Sequence, residues 1–461
     1  MKILLVQPAK PEKALGGEDF SIFEPLALEY LAAGIAADHD VRILDMRIDD
    51  SLESLLCDFQ PNVVGITAYT VHVNTVKRLC RQIKKLDPEI FTVVGGHHAT
   101  VMPEDFYASD IDMVVMGEGV FAFREMIERL EKRITPAEIA GASWSGNGPI
   151  VVRQVEKSID LDALPFPGRE LTAQYRQHYF SEWMRPLASI RTSKGCHFRC
   201  KFCSLWKLTG GRYFTRKPEC IVEELSTIEQ KYIFFADDES LLDAGRMATL
   251  ADLIRQSGIK KRFFLYGRSD TIANHPRLVE QWKEVGLERV FVGLEFFRDA
   301  DLKSIGKGTT AKINTKAVQV LKSLDIDIWP MFIVKPEFDK RDFFDLRKYS
   351  LSLSLDFIGF SVLTPLPGTD LYDEAKSHLI TCNYDYFDFF HTFLPTKLPI
   401  KEFYGELITL YKRSRTLKSQ IRFMRKYPIW ELPSVFRTYN HFMERLKTLE
   451  QDYVADLGQV G

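Results

Sequence analysis

The sequence lacks the features that would place the protein across a membrane, outside the cell or on nucleic acid. No apolar run approaches the roughly 20 residues of a membrane-spanning helix. The first residues enter a strand-like segment directly, without the apolar stretch and cleavage site of a secretory signal. Lys and Arg number 61 against 63 Asp and Glu, so the net charge of −2 predicts no general nucleic-acid-binding surface. We therefore expect a cytoplasmic protein without a nucleic-acid partner.

Cysteine is also scarce, but its placement is uneven. Seven cysteines in 461 residues, an odd number, do not suit a disulfide framework. Three of them, Cys196, Cys200 and Cys203, follow the pattern Cys-x3-Cys-x2-Cys, and thiolates this close on one loop can ligate an iron–sulfur cluster. Zinc is the alternative, although a tetrahedral zinc site needs a fourth ligand, and neither His197 nor Cys220 lies at a usual zinc spacing.

The same loop resembles the signature of the radical S-adenosylmethionine (SAM) superfamily, including the aromatic Phe202 directly before the last cysteine. The resemblance implies a [4Fe-4S] cluster ligated by Cys196, Cys200 and Cys203. Three protein ligands leave one iron free to bind SAM, which Phe202 is expected to contact.

The first 130 residues alternate short apolar runs with helical patterns. This alternation predicts a doubly wound, Rossmann-like parallel sheet, with a ligand outside the carboxyl ends of its strands. The first predicted strand is not followed by Gly-x-Gly-x-x-Gly, so a dinucleotide site is not supported. The predicted strands are Ile3–Val6, Val41–Leu44, Val63–Thr67, Phe91–Val94 and Met113–Met116. The predicted helices are Glu24–Ala37, Val71–Lys85 and Val120–Leu130.

Small and polar residues follow three of these strands. Glycines let a large ligand approach the backbone and hydroxyls can bond to it, although paired glycines at strand ends are also ordinary turn residues. Together, Val-Gly-Gly-His-His-Ala-Thr at 94–100 and Met-Gly-Glu-Gly at 116–119 resemble the cobalamin-binding domain that precedes many radical SAM cores. The resemblance implies a cobalamin site at Tyr69, Thr70, Gly95, Gly96, His97, Gly117, Glu118 and Gly119.

The Asp-x-His-x-x-Gly motif of that domain, whose His binds cobalt, is missing, because Arg47 stands where the His would be. The resemblance therefore implies base-off cobalamin without a His ligand, with Tyr69 or Thr70 approaching its lower face. For His97 and His98, contact with the corrin periphery or packing within their loop is favoured over the alternative of ligating cobalt.

A second alternation of strands and helices begins after a weakly patterned segment. Six strand–helix units predict a partial (β/α)6 barrel, with its site at the carboxyl ends of the strands. The cysteine loop follows the first of these strands, which places it at that face independently of the resemblance. The predicted strands are Ala188–Thr192, Tyr232–Phe235, Phe263–Tyr266, Val290–Gly293, Ile328–Val334 and Phe357–Val362.

Four regions result from this reading. They are a cobalamin-binding domain at 1–135, a linker at 136–182, the radical SAM barrel at 183–376 and a mainly helical domain at 377–461. Within the linker, Gly141, Gly146, Gly148 and Pro149 predict a small hairpin.

Further strand ends of the predicted barrel carry candidate SAM ligands. Asp237, Asp238 and Glu239 close the second strand, in the position of the superfamily segment that contacts the SAM amino group. Arg268 follows the third strand and could pair with the SAM carboxylate. Glu295 ends the fourth. For any one carboxylate, a helix cap or a surface ion pair is the alternative.

The C-terminal region is predicted to be helical, with apolar residues at helical spacing from Phe403 to Met424. Between Lys401 and Lys426 there are eight Lys and Arg against two Glu. Two interpretations remain: a helix packed on the barrel with a solvated basic face, or a membrane-surface helix that gives access to a lipid substrate. The region resembles hopanoid methylases of the same class weakly.

The resemblance implies a cobalamin-dependent radical SAM methyltransferase. Such enzymes deliver a methyl group from methylcobalamin to an unactivated carbon, through a substrate radical that the 5′-deoxyadenosyl radical generates. Alternatives are a cobalamin-dependent cyclase or ring-rearranging enzyme without net methyl transfer, and a non-catalytic cofactor-binding sensor. The expected partners are a small-molecule substrate, such as a lipid or natural-product intermediate, and an electron donor such as flavodoxin or ferredoxin.

Overall fold

Two parallel sheets from successive parts of the chain carry the fold of the computed structural model. The structure describes residues 1–136, 138–144, 151–152 and 159–457. The first sheet consists of β1 (Lys2–Gln7), β2 (Asp40–Asp45), β3 (Val63–Thr67), β4 (Phe91–Gly95), β5 (Met113–Val115), β6 (Ala142–Trp144) and β7 (Val151–Val152). Its order is β2-β1-β3-β4-β5-β6-β7, and the first five strands are parallel. The predicted doubly wound sheet is confirmed.

Helices cover both faces of this sheet. Ile3, Leu4, Leu5 and Val6 are all completely buried, as expected of a parallel strand packed on both sides. The helices are α1 (Leu26–Ala33), α2 (Leu52–Phe59), α3 (Val73–Leu86), α4 (His97–Val101) and α5 (Gly119–Glu131). Strand order reverses between β1 and β3, which is the crevice where sheets of this kind bind ligands.

The predicted hairpin forms from β6 and β7, which pair antiparallel and extend the first sheet. Its tip, with Gly146, Gly148 and Pro149, lies outside the described residues. Strands β6 and β7 both lie in the segment 136–182, which is predicted as a linker. The boundaries of the four predicted regions stay a prediction.

The second sheet is the predicted barrel. Its strands are β8 (Leu187–Ile190), β9 (Tyr232–Phe235), β10 (Arg262–Tyr266), β11 (Leu287–Glu295), β12 (Asp327–Val334) and β13 (Gly359–Val362). They pair in chain order and all run parallel, and β8 and β13 at the two ends do not pair with each other, as expected of an open, partial barrel. Its helices are α6 (Leu205–Leu208), α7 (Pro218–Thr227), α8 (Ala244–Ser257), α9 (Ser269–Asn274), α10 (Pro276–Val285), α11 (Asp299–Ser304), α12 (Ala311–Ser323), α13 (Lys340–Leu353) and α14 (Asp370–Ala375).

Three helices complete the chain: α15 (Ile400–Arg413), α16 (Leu417–Met424) and α17 (Leu432–Leu457). The apolar residues at helical spacing from Phe403 to Met424 are therefore divided between two helices, α15 and α16. Phe403, Leu407 and Leu410 of α15 are buried in the barrel core, whereas Leu417 of α16 is 73% exposed. Within the described ranges, no helix is both long enough and apolar enough to span a bilayer.

A buried network of charges joins the two sheets. Glu24, just before α1, pairs with Arg176 and lies 3.6 Å from Arg169, and Arg169 donates to Glu224 of α7 at 2.6 Å. Breaking a buried ion pair leaves an uncompensated charge at a cost of about 3–5 kcal/mol. The network thus holds the sheets in one relative position.

Candidate active site

A cavity of about 1400 Å³ lies between the carboxyl ends of the two sheets. Single-ligand sites usually measure about 300–1,000 Å³, so this space suits more than one large molecule. Its wall from the first sheet includes Gln7, Arg47, Thr67, Tyr69, Thr70, His72 and His97. Its wall from the barrel includes Cys196, Cys200, Phe202, Cys203, Asp237, Asp238, Glu239, Tyr266, Arg268, Phe291, Glu295, Lys307 and Trp329.

The cysteine loop begins directly after β8 and turns its three thiols toward the cavity. Cys200 is buried, and Cys196 and Cys203 are half-buried. The loop starts at Gly195, whose φ of +93° is a conformation that glycine adopts readily. A Cβ at Gly195 would lie 2.1 Å from the Arg212 carbonyl oxygen, so only glycine fits this entry to the loop.

Two of the predicted SAM ligands also form hydrogen bonds to the base of the loop. Asp237 accepts from the Thr192 and Ser193 amides at 2.7 and 2.8 Å, and also from the Thr192 hydroxyl. Asp238 accepts from the Gly195 amide at 2.6 Å. These charge-assisted bonds satisfy backbone donors that would otherwise be buried without a partner. A contact of either carboxylate with SAM stays a prediction.

Glu239 has one hydrogen-bond partner for its carboxyl group in the described structure. Its side chain accepts from the Arg268 amide at 3.2 Å. Burial raises its pKa to about 7, although Arg268 and Lys307 act in the opposite direction. The charged form of a buried carboxyl group is stabilised when a cationic group of a ligand lies beside it.

Arg268 already has protein partners. Its guanidinium donates to Asp270 at 2.9 and 3.1 Å, stacks 3.5 Å from the centre of the Phe198 ring, and lies 4.0 Å from the Cys200 sulfur. Glu295 likewise forms a buried ion pair with Lys307 at 2.7 Å. The structure thus brings Arg268 to the cysteine loop, and its predicted pairing with the SAM carboxylate stays a prediction.

On the opposite wall, three predicted cobalamin residues line the cavity. Tyr69 is 56% exposed, and this exposed surface faces the cavity. The His97 ring lies 5.9 Å from the Tyr69 ring, and its Nε2 is 2.8 Å from the hydroxyl of Ser204, directly after Cys203. Burial lowers the pKa of His97 to about 4, so the imidazole is neutral. Thr70 is buried and bonds to His98 at 3.1 Å.

The other predicted cobalamin residues do not line this cavity in the described structure, and their contact with cobalamin stays a prediction: Gly95, Gly96, Gly117, Glu118 and Gly119. A Cβ at Gly96 would lie 2.6 Å from the Thr67 hydroxyl, so this glycine permits packing between neighbouring strand ends. Glu118 forms ion pairs of 3.0 Å with both Arg191 and Lys194, at the start of the cysteine loop. Its role in the structure is to link the two sheets.

Sequence reasoning missed the aromatic interior of the barrel. Phe234, Tyr266, Phe291 and Trp329 come from four successive strands and line the cavity. Their neighbours in the strands, such as Phe263 and Leu265, face the helices and are fully buried. The signal that could have found these aromatic residues is their alternate position within each strand, because every second residue of a barrel strand points inward.

Comparison with known proteins agrees with this architecture. A model of the B12 binding domain matches residues 12–127, and a model of the radical SAM superfamily matches residues 190–349. The hopanoid C-3 methylase of Methylococcus capsulatus is 31% identical over 95% of this chain and 88% of its own length. The chain belongs to the family of cobalamin-dependent radical SAM enzymes. An uncharacterized methyltransferase of Pyrococcus horikoshii is 29% identical over 92% of this chain and 93% of its own length.

Solved structures share the fold of this cobalamin-dependent radical SAM enzyme. The radical SAM methyltransferase TsrM from Kitasatospora setae, with tryptophan substrate and a SAM analogue bound, matches with a TM-score of 0.67 and 18% identity, over 89% of this chain and 88% of that one. OxsB, with aqua-cobalamin and SAM bound, matches with a TM-score of 0.68 and 16% identity, over 99% of this chain and 80% of that one.

The cofactors of a cobalamin-dependent radical SAM enzyme are a [4Fe-4S] cluster, SAM and cobalamin, and the cavity fits all three. Among the residues that the structure describes, no three His, Cys, Asp or Glu converge as ligands of a single metal ion. A four-iron cluster does not need such convergence, because each cysteine binds its own iron. Three thiols on one loop are therefore a suitable donor set. Cobalamin fits at Tyr69, beside the crevice where strand order reverses.

Proposed function

We propose that this enzyme transfers a methyl group to an unactivated carbon of a small-molecule substrate held inside the barrel. One observation carries the proposal: the three cysteines, the strand ends of the first sheet and the aromatic barrel interior all border a single cavity. A substrate among the aromatic rings would be within reach of both cofactor sites. The names of the relatives in Methylococcus capsulatus and Pyrococcus horikoshii support methyl transfer.

In this proposal, Cys196, Cys200 and Cys203 hold the cluster, and Glu239 binds the ammonium group of SAM. When bound, the cluster and SAM supply a carbon radical that abstracts hydrogen, and cobalamin supplies the methyl group. Arg268 lies 4.0 Å from the Cys200 sulfur, so its positive charge would balance part of the negative charge of a bound cluster. Tyr69 would contact bound cobalamin, and a protein such as flavodoxin or ferredoxin would deliver the electron.

The substrate is proposed to be large and mainly apolar. Phe234, Tyr266, Phe291 and Trp329 present ring faces and edges to the cavity, and the rings of Tyr266 and Phe291 meet edge to face at 4.9 Å. Aromatic walls exclude water and pack well against rigid hydrocarbon surfaces. The likeness to a hopanoid C-3 methylase supports a lipid or natural-product substrate with fused rings.

The test uses reconstituted enzyme, reductant, methyl-labelled SAM and a panel of apolar ring compounds. We expect label in the product, together with 5′-deoxyadenosine and S-adenosylhomocysteine. Deoxyadenosine and an altered product without label would contradict methyl transfer and favour a cyclase or ring-rearranging enzyme. Binding of all three cofactors without deoxyadenosine across the panel would favour a sensor.

A further inference from the structure

Two C-terminal helices that line the cavity, and the turn between them, also carry exposed apolar side chains. Twelve large apolar side chains are exposed in the described part of the chain, and five of them fall within the twenty residues 417–436. We call these five the mouth surface: Leu417 (73% exposed), Ile421 (39%), Ile429 (82%), Trp430 (81%) and Phe436 (50%). Exposed apolar residues scattered singly are normal in proteins, whereas a contiguous group marks an interaction site.

The mouth surface and the cavity share the same two helices. Phe423 and Met424 of α16 line the cavity, as do Val435 and Tyr439 of α17. Phe436 does both, because it lines the cavity and is half exposed. A ligand on the mouth surface would therefore lie at an entrance to the barrel interior.

Basic residues lie among those of the mouth surface, and Glu431, 4.0 Å from Arg185, is the one acidic residue between Leu417 and Phe436. Residues 412–430 contain seven Lys and Arg and no Asp or Glu. Arg422 pairs with Asp356 and Lys426 pairs with Asp327, both from the barrel. Lys418 and Arg425 are exposed, and neither has an acidic partner among the described residues. The surface therefore combines apolar side chains with free positive charge.

We propose that the mouth surface docks on an anionic lipid bilayer, with Ile429 and Trp430 inserted at the headgroup level. These two residues form an exposed one-turn helix, Ile429–Glu431, between α16 and α17. Trp prefers the membrane interface, and each basic residue near an anionic surface contributes about 1 kcal/mol of attraction. Apolar and basic residues on one face, around the entrance of an aromatic cavity, match a lipid surface in both charge and polarity.

Docking would let an apolar substrate pass from the bilayer into the barrel. This second step rests on the proposed function, whereas docking itself requires neither cofactor nor substrate. Vesicle binding therefore succeeds or fails independently of methyl transfer.

The first test is co-sedimentation of the full-length protein with vesicles of phosphatidylcholine, with and without phosphatidylglycerol. We expect binding that requires the anionic lipid and weakens as salt is added. Lys418→Glu with Arg425→Glu should weaken vesicle binding at least about 25-fold, because the loss of each positive charge should weaken it about fivefold. Ile429→Ser with Trp430→Ser should weaken it at least about tenfold.

A matched control surface lies on α3, where Lys85 and the half-exposed Leu86 also place a charge beside an apolar side chain. Lys85→Glu with Leu86→Ser should bind vesicles as the unaltered protein does. Thermal unfolding of all variants checks that each is folded.

Depth of insertion gives a second readout. Lipids brominated on their acyl chains should quench the emission of Trp430, and Trp430→Phe should abolish that quenching while the protein still sediments. Absence of vesicle binding by the unaltered protein, or equal binding by the Ile429→Ser/Trp430→Ser variant, overturns the proposal. Light scattering that shows a dimer dissociated by the same variant, without vesicle binding, would assign the surface to a second copy of this chain.

Discussion

The two walls of the cavity use their polar residues differently. On the barrel wall, Asp237, Asp238 and Arg268 all have short contacts within the cysteine loop or its neighbours. On the wall of the first sheet, Tyr69 turns 56% of its surface to the cavity. These polar residues of the barrel wall position a loop, whereas Tyr69 on the opposite wall is left open to a ligand.

This difference follows from what each wall has to hold. A cluster ligated by three thiolates on one loop needs that loop in one conformation, so the barrel supplies hydrogen bonds to its backbone. A corrin ring contacts a protein over a wide area, so each individual contact contributes a smaller share of the binding free energy. Substitutions on the barrel wall should therefore have large and specific effects, and those on the first sheet should have smaller ones.

Removing a proposed cluster ligand is the most severe test. Cys200→Ala should abolish deoxyadenosine formation, a fall of at least about 1000-fold, because a ligand to iron is lost. Cobalamin binding should persist, since Cys200 lies on the other wall. Iron content, deoxyadenosine and cobalamin absorbance measure the three expectations.

Cys57→Ala is the matched control, because Cys57 is exposed on α2, away from the loop. It should retain iron and activity. Loss of cobalamin from Cys200→Ala would show that the two walls do not act separately.

Asp237→Ala tests whether the loop depends on its carboxylate supports. Two backbone amides would lose their acceptor, at about 1–3 kcal/mol each, so we expect a lower free energy of unfolding and loss of most of the iron. Asp237→Asn keeps an acceptor and should restore part of both. Urea unfolding and iron analysis after reconstitution give the result.

A suitable control is Asp243→Ala, which removes the cap of α8 where Asp243 accepts from the Arg246 amide. Loss of this cap should cost about 0.5–2 kcal/mol of stability with full iron content. Equal iron loss in both variants would assign Asp237 to general stability alone.

The elements of both walls could be predicted from sequence, because the strands Ile3–Val6 and Tyr232–Phe235 are continuous apolar runs. Such runs suit parallel strands covered on both faces. Helix α2 escapes prediction because Leu52, Leu56 and Phe59 are its only buried residues, in an eight-residue element. The cysteine triad is recognisable because all three cysteines are close together in sequence.

The supports of the site could not be predicted, because their partners are distant in sequence. Asp238 bonds to an amide 43 residues away, and Glu118 pairs with Arg191 at a separation of 73. Only tertiary packing brings these groups together. The sequence identifies Asp238 and Glu118 as polar residues at strand ends but does not show whether they face a ligand or the chain itself.

Glu118→Gln tests the link between the two walls. The change leaves Arg191 and Lys194 without their shared carboxylate partner, and we expect about 1–2 kcal/mol less stability, below the full penalty for a buried pair because all three side chains retain some exposure. Glu125→Gln is the control, since it breaks an exposed pair with Arg129 within α5 and should cost about 0.3–0.5 kcal/mol. If Glu118→Gln and Glu125→Gln lower the free energy of unfolding in urea equally, Glu118 contributes no more to stability than a surface charge does.

Tyr69→Phe should give the smallest effect and makes the sharpest comparison with the barrel wall. The ring that faces the cavity is kept and only the hydroxyl is lost, so cobalamin affinity should fall by about 2- to 12-fold, the value of one ordinary hydrogen bond. Cobalamin titration followed by visible absorbance measures both the affinity and any change around cobalt. Iron content and cluster absorbance should stay unchanged, because Tyr69 makes no hydrogen bond to the cysteine loop in the described structure. A loss of iron in Tyr69→Phe would contradict this division of roles, since it would mean that the open wall also positions the cluster.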